Sequence, residues 1–512
     1  MSARRISPAH SSLLVRPETL HAPASWAVAL CVVATACGGP EASEPLQPLR
    51  PALAPLVEAV DLDPDPGVVE VHLAATEAQL DYRGDGRETA VLAYRDVGRP
   101  GSAASVPGPL ITVPVGALLR VRFTNEMQER TTTIHWHGLR LPATMDGNPM
   151  VQGAVYPGES FTYEFVAQDA SLFWYHPHVE PDEQMELGLH GPLLVRGGDE
   201  PTVATERVLV LDDVDLADDG EVRLEADMED IMLGRHGAVI LVNGQEVPSI
   251  VADGGATERW RIVNAANGRF FALTLPGVSW TVIGGDGGAL AEPYTTDALL
   301  LSPGERLDVL VVMPTASERL MLRTEVVERG HSVVPAADVL EVVTVDPRSP
   351  PEVVDPGRFT RAIEPLEVDA TTPVRTIALQ EDLERPGGPL FMINDEVWPF
   401  NTPMSAVLGD LEVWRVENDN DGAHPFHLHG FFFQVLDRDG VPEPRLAWKD
   451  TVRIDAHSTI ELAVELDVPG HWMFHCQIPE HAEGGMMGDL HVASPSPARG
   501  EPGPRDSSEG LP

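Results

Sequence analysis

Gly116-Ala-Leu-Leu-Arg-Val-Arg-Phe-Thr-Asn125 is the stretch whose reading decides the fold. Apolar and polar residues alternate along it, the period of a strand with one buried face, and an asparagine ends it nine residues after a glycine. The same design returns at 255–264, ending Arg259-Trp-Arg-Ile-Val-Asn264, and at 409–418, ending Trp414-Arg-Val-Glu-Asn418. Beyond each copy a turn leads into a second alternating strand, at 157–165, 303–311 and 455–463. Three copies of this pattern in 512 residues predict an all-β chain of three consecutive β-sandwich domains, at 68–200, 201–347 and 360–494. Proline-rich joints near 199–203 and 346–365 separate them, and no long amphipathic helix is predicted. Residues 38–67, rich in Pro, Glu, Ala and Asp, read as a linker, and 495–512 as a disordered tail.

Four histidine motifs are distributed over this frame: His135-Trp-His137, His176-Pro-His178, His424-Pro-Phe-His427-Leu-His429, and His475-Cys-Gln477 with His481 and Met486 downstream. Nine of the 18 histidines fall in these windows, which scattered core or surface histidines would not do. Residues i and i+2 of a strand point to one side, so each His-x-His presents two imidazoles to one face. Two imidazoles, a thiolate and a thioether, here His424, Cys476, His481 and Met486, form a blue-copper donor set, whereas zinc would call for more thiolate or a carboxylate. The remaining imidazoles, His135, His137, His176, His178, His427, His429 and His475, are too many for one ion and predict a cluster. They come from the first and third repeats only, which places the cluster between those domains and leaves the middle repeat as a spacer.

With these motifs in this order, residues 68–494 resemble a three-domain multicopper oxidase of the laccase-like kind, built of cupredoxin-like Greek-key sandwiches. The resemblance implies about four coppers per chain. A type 1 copper at His424, Cys476, His481 and Met486 would take electrons singly from a reductant. A type 2 copper would sit at His135 and His427. Of a type 3 pair, one copper would be held by His178, His429 and His475, the other by His137 and His176. There dioxygen would be reduced to water. Asp146 matches the family's acid near the cluster and is expected to relay protons. Cys476 and His475, adjacent on a strand, face opposite sides and would link the two sites covalently.

Gln477 departs from the resemblance, standing where the family has a third imidazole beside His137 and His176. A carboxamide oxygen is a poorer copper donor than imidazole. His471, four residues away on the same strand face, lies ~13 Å off at ~3.3 Å per residue and cannot replace it. One reading is a working oxidase with Gln477 or water in the third position. The alternative is a copper-binding or electron-transfer protein with an incomplete type 3 site and little oxidase activity. Ala482 also stands where bacterial relatives often carry Glu, and Glu480 or Glu483 is expected to take its place in proton transfer.

For the reductant, no Met-rich insert of the cuprous-oxidase kind interrupts 430–450, and the 14 methionines are dispersed. Trp448-Lys-Asp450-Thr-Val resembles a family segment at the substrate edge of the type 1 site, where Asp450 would meet a cationic amine, a phenol or a metal ion. An exposed Met486 as axial ligand predicts a low to moderate potential, suited to easily oxidised phenols, aromatic amines or metal ions.

Composition sets the outer limits. The chain has 35 basic against 79 acidic residues, a net charge of -44 that argues against nucleic acid and disfavours anionic substrates. Solubility accounts for such acidity, as does steering of cationic substrates. The apolar run 24–37 is shorter than the ~20 residues of a membrane span and suits a signal-peptide core. Its end, Ala34-Thr-Ala-Cys37-Gly-Gly, resembles a bacterial lipoprotein cleavage box. Residues 1–37 are thus expected to be a signal, with a lipid on Cys37 attaching an exported, monomeric protein to a membrane at the periplasm or cell surface. Of three cysteines, only Cys476 would then remain besides a lipidated one, so no disulfide framework is expected.

Overall fold

In the computed structural model, which describes residues 46–494 apart from 199, 348–349 and 351, the repeated stretch becomes the same strand three times. Leu118–Asn125 runs parallel to Val68–Leu80 and antiparallel to Ser160–Val166. Thr257–Asn264 lies likewise between Thr205–Val214 and Arg306–Val312, and Leu411–Asn418 between Val374–Asp382 and Ser458–Glu465. The closing asparagine has one job in all three. Its side-chain N–H groups donate to the carbonyls of Arg130 and Val155, of Arg269 and Leu301, and of Gly422 and Asp455. Its oxygen accepts the amide two residues on. Each asparagine thus ties two loops to the strand end, satisfying buried backbone groups that no ladder reaches.

A second sheet faces each of these. In the first sandwich it runs Ile111–Pro114, Gly191–Arg196, Leu172–His176, His135–His137. In the third it runs Met404–Val407, Met487–Ala493, Gly470–Cys476, His424–Leu428, Thr451–Ile454. The histidine motifs therefore lie on the second sheets, and the two cores merge into one apolar cluster that includes Trp136, Tyr175, Phe426, Phe474 and Ile478. The longest described helices have six residues, and no described helix is long and apolar enough to cross a membrane.

Two sequence expectations need correction. Residues 46–67, predicted as part of a linker, are laid along the body: Leu53, Ala59 and Leu62 donate their amides to Ser249, Leu110 and Glu70 at 2.8–2.9 Å. Proline keeps this segment extended, and other amides find side-chain oxygens on the sandwiches, Leu49 and Arg50 on Glu341 and Val60 on Asp96. The middle sandwich is also more than a spacer. A ribbon, Val327–Glu328 paired with Val333–Val334, reaches the third sandwich, where Ala423 donates to Arg329 O and His331 donates to Asp421 O. At this crossing Gly330 has φ +95°, and a Cβ there would fall 1.7 Å from Asp421 O. No other residue allows that approach.

Candidate metal centre

Strand register brings the histidines together. His135 pairs with His176 and His137 with Trp174 in the first sandwich, and His427 pairs with His475 in the third. Across the seam His135 stacks on His429 and His137 on His427, both with centroids 3.8 Å apart. His178, His429 and His475 converge through their Nε2 atoms, 3.3 Å for His178 to His475 and 2.9 Å for His429 to His475. Donor atoms of His135, His137 and His176, and of His135, His427 and His429, group within 4.8 Å. All are buried.

The inner nitrogens show what this chamber fits. His135 Nε2, His427 Nε2, His176 Nε2 and His137 Nδ1 are buried with no hydrogen-bond partner. Each outer nitrogen, by contrast, is held. His135 Nδ1 lies 2.8 Å from Asp146 O, His176 Nδ1 2.9 Å from Pro177 O, His427 Nδ1 2.9 Å from Asp450 O, and His137 Nε2 2.9 Å from Thr451 Oγ1. His429 Nδ1 lies 2.8 Å from Asp146 Oδ2 and His475 Nδ1 2.8 Å from Cys476 O. Outer nitrogens fixed on acceptors with inner lone pairs left over is the signature of metal-binding histidines. Burial, and after it mostly the neighbouring imidazoles, hold His137, His176, His178, His427 and His429 well below the ordinary histidine range. His475 is lowered to about 4, chiefly by burial. All are neutral at physiological pH, the form that binds metal.

Gln477 belongs to this chamber. It is buried, its Oε1 has no partner, and its amide donates to Pro425 O at 2.7 Å. A Cβ placed on Gly304 would meet Gln477 Cγ at 2.8 Å and His137 Cε1 at 3.0 Å, so carboxamide and imidazole share one glycine floor. His137, His176 and Gln477 each keep one unsatisfied donor atom.

A second set lies on the other side of the Gly470–Cys476 strand. Cys476 Sγ is 3.5 Å from His424 Nδ1 and 3.6 Å from His481 Nδ1, and the two nitrogens are 3.2 Å apart. Met486, expected to be exposed, is fully buried, its amide donating to His481 O and its carbonyl accepting from Cys476. Burial pushes the Cys476 thiol up, so a thiolate here needs a cation to offset the cost. Outside, His424 Nε2 meets Glu381 Oε1 at 3.1 Å. His481 Nε2 meets Met232 O at 3.2 Å, at the end of the middle sandwich's helix Met228–Leu233.

The three predicted acids fall in different places. Asp146 is buried against His135 and His429, with Oδ1 unsatisfied. Asp450 is not at a substrate edge: it is fully buried, pairs with Arg306 at 2.5 Å and accepts from Thr451 Oγ1 at 2.8 Å. The reason is register, since Thr451 opposes His427 in the sheet and draws its neighbour inward. Glu480 is buried beside Asn267 and Arg235, and burial pushes it up to about 7. Sequence reading missed Thr451, Arg306, Glu381 and Met232. Only Thr451 left a signal, in the segment already singled out for Asp450.

Comparison with known proteins adds an independent line. Multicopper oxidase family models match residues 100–200, 216–340 and 368–496. The multicopper oxidase MmcO of Mycobacterium tuberculosis is 30% identical over 429 residues, covering 75% of this chain and 81% of that protein. A multicopper oxidase from Campylobacter jejuni, described as a metallo-oxidase, superposes with a TM-score of 0.76 at 26% identity, covering 87% of this chain and 96% of its own. A laccase-like enzyme, CueO from Ochrobactrum sp., described as active towards lignin model compounds and lignosulfonate, superposes at 0.72 with 28% identity, covering 86% and 100%.

Proposed function

The chain belongs to the multicopper oxidase family, a copper oxidoreductase using oxygen, and from that premise we propose how its residues divide the work. His424, Cys476, His481 and Met486 hold the type 1 copper. His135 and His427 hold type 2. His178, His429 and His475 hold one type 3 copper, and His137, His176 and Gln477 the other. Copper so bound supplies one-electron transfer at the first site and four-electron reduction of dioxygen to water at the rest. The observation that carries this reading is the pair of donor sets on opposite sides of one strand, joined by the peptide bond between His475 and Cys476.

The protein's own part is orientation and proton supply. Backbone carbonyls and Thr451 fix the tautomers of the cluster imidazoles. Asp146 holds the outer nitrogens of His135 and His429, and its unsatisfied Oδ1 is placed to take or give a proton. Glu480, pushed up to about 7 by burial, is a second proton donor behind His481. The unsatisfied Gln477 Oε1 fills the third donor position, which supports a complete cluster over a type 1 centre alone.

The reductants proposed are small phenols, aromatic amines or metal ions. A net charge of -44 favours cationic donors among them. Because Met232 O covers His481 Nε2, the donor docks on the outside of helix Met228–Leu233 rather than on the imidazole. Export, a lipid on Cys37, a periplasmic or surface location and a monomeric state complete the proposal; residues 1–45, with Cys31 and Cys37, lie outside the described residues. Metal analysis combined with oxygen uptake tests it. About four coppers per chain and oxygen consumption with a phenolic or diamine dye are expected. One or two coppers, with blue colour but no oxygen uptake, would overturn it.

A further inference from the structure

Arg329, in the loop that joins the two strands of the ribbon crossing from the middle sandwich, is 2% exposed yet pairs with no carboxylate among the described residues. Its N–H groups donate to three backbone carbonyls, Leu233 at 2.5 Å, Gly268 at 3.3 Å and Ala423 at 3.4 Å, and its Nε has no partner. The guanidinium lies 4.5 Å above the Phe270 ring. Other buried guanidinium groups in the middle sandwich have carboxylates: Arg261 has Glu206, Arg269 has Asp213, and Arg306 has Asp450. Leaving a buried charge without a counter-ion is costly, and three carbonyl dipoles with a ring face only partly offset that cost.

The place of this charge is specific. Ala423, whose carbonyl it binds, precedes His424, and Leu233 follows Met232, whose carbonyl meets His481. Arg329 therefore touches the chain next to His424 itself and next to Met232, the residue that anchors His481. Burial lowers the guanidinium only to about 10, so it stays charged at neutral pH. Across from it, the Glu381 carboxylate on His424 Nε2 has the opposite sign.

We propose that Arg329 is a positioning residue that sets the type 1 potential: its fixed, unpaired positive charge favours the reduced, less positive copper and raises the potential that Met486 and Glu381 hold down. The mechanism is electrostatic. Gain of one electron lowers the local charge by one, and a nearby cation in a site of low dielectric stabilises the product more than the reactant. This inference rests on the type 1 assignment made above.

The test is a redox titration of the blue band in the copper-loaded full-length protein. Arg329→Met is expected to keep the band and lower the reduced-to-oxidised ratio at a fixed poise at least tenfold, about 59 mV for a one-electron couple. Arg329→Lys, which keeps the charge, should restore most of the shift, and Glu381→Gln should move the potential the other way. If Arg329→Met does not accumulate folded, Arg329→Gln removes the charge while keeping a polar amide in the site. An unchanged potential in a charge-free, blue variant overturns the proposal, as does a Lys variant shifted as far as the Met one. Absence of any blue band in the parent protein would instead overturn the type 1 assignment.

Discussion

The two donor sets differ in who builds them. The chamber around His135, His137, His176, His178, His427, His429, His475 and Gln477 is shared by the first and third sandwiches, and its outer nitrogens rest mostly on backbone carbonyls. The pocket around Cys476 draws all its donors from the third sandwich, yet the middle one closes it with Met232 and Arg329. The middle sandwich also sends a guanidinium to each. Arg306, beside the chamber, is neutralised by Asp450; Arg329, beside the pocket, is not neutralised. A paired charge fixes geometry without adding field, whereas an unpaired one adds field. On the proposed division of work, the site of oxygen chemistry has the first kind and the site of electron entry the second.

The most severe break in this comparison is Cys476→Ser, which removes the thiolate that would connect the pocket to the peptide link with His475. Visible spectroscopy should show no blue band, and oxygen uptake should fall to background, while the chamber histidines still retain copper by metal analysis. Loss of copper from both sites would mean that they are not separable as described.

Asp450→Asn comes next, because it removes the nearer of the two carboxylates on Arg306 and leaves only Asp286 at 3.6 Å. Breaking one partner of a buried pair costs about 3–5 kcal/mol, to be read from denaturant unfolding of the variant beside the parent. Arg329→Met breaks no such pair and is expected to cost less. Equal losses would erase the distinction between the two guanidinium groups.

Gln477→His replaces the carboxamide with the imidazole that the family resemblance implies at this position. Copper retention against a competing chelator should tighten on the order of tenfold, comparable to known effects of changing a metal site's supporting groups. The blue band should be unmoved, since Gln477 faces the chamber. A shifted band would show that it couples to the pocket instead.

Glu186→Gln is the mildest. Glu186 is buried near Arg235 and Asp213 at the seam of the first and middle sandwiches, and burial raises it from 4.5 to about 8. A carboxyl with a raised folded value contributes stability that is full below pH 4.5 and is lost as pH rises through 8. The variant should therefore lose less thermal stability than the parent between pH 5 and 8, with no change in colour or copper content. An identical pH slope would mean that Glu186 is not the group being titrated.

What could be read from the chain alone follows from the range of the interactions. The strand that ends in Asn125, Asn264 or Asn418 is encoded within ten residues, and the histidine motifs within three to six, so both were legible. Arg306 meets Asp450 across 144 positions, and His481 meets Met232 across 249. Such partners leave no local pattern, and a domain without motifs reads as a spacer. Asp450 was misplaced because its segment was matched to a substrate edge, whereas its direction is set by a strand register that only the folded sheet reveals. Gln477 was recognised from its neighbours, but its unsatisfied oxygen and the glycine floor it shares with His137 are facts of packing.

The ribbon crossing at Gly330 also has a consequence for assembly. Ala423, next to His424, is hydrogen-bonded to a carbonyl of the middle sandwich, so the third sandwich cannot present a finished pocket until the two have docked. During refolding with copper present, the onset of blue colour would then act as a clock for docking between neighbouring sandwiches, later than the collapse of either one by itself.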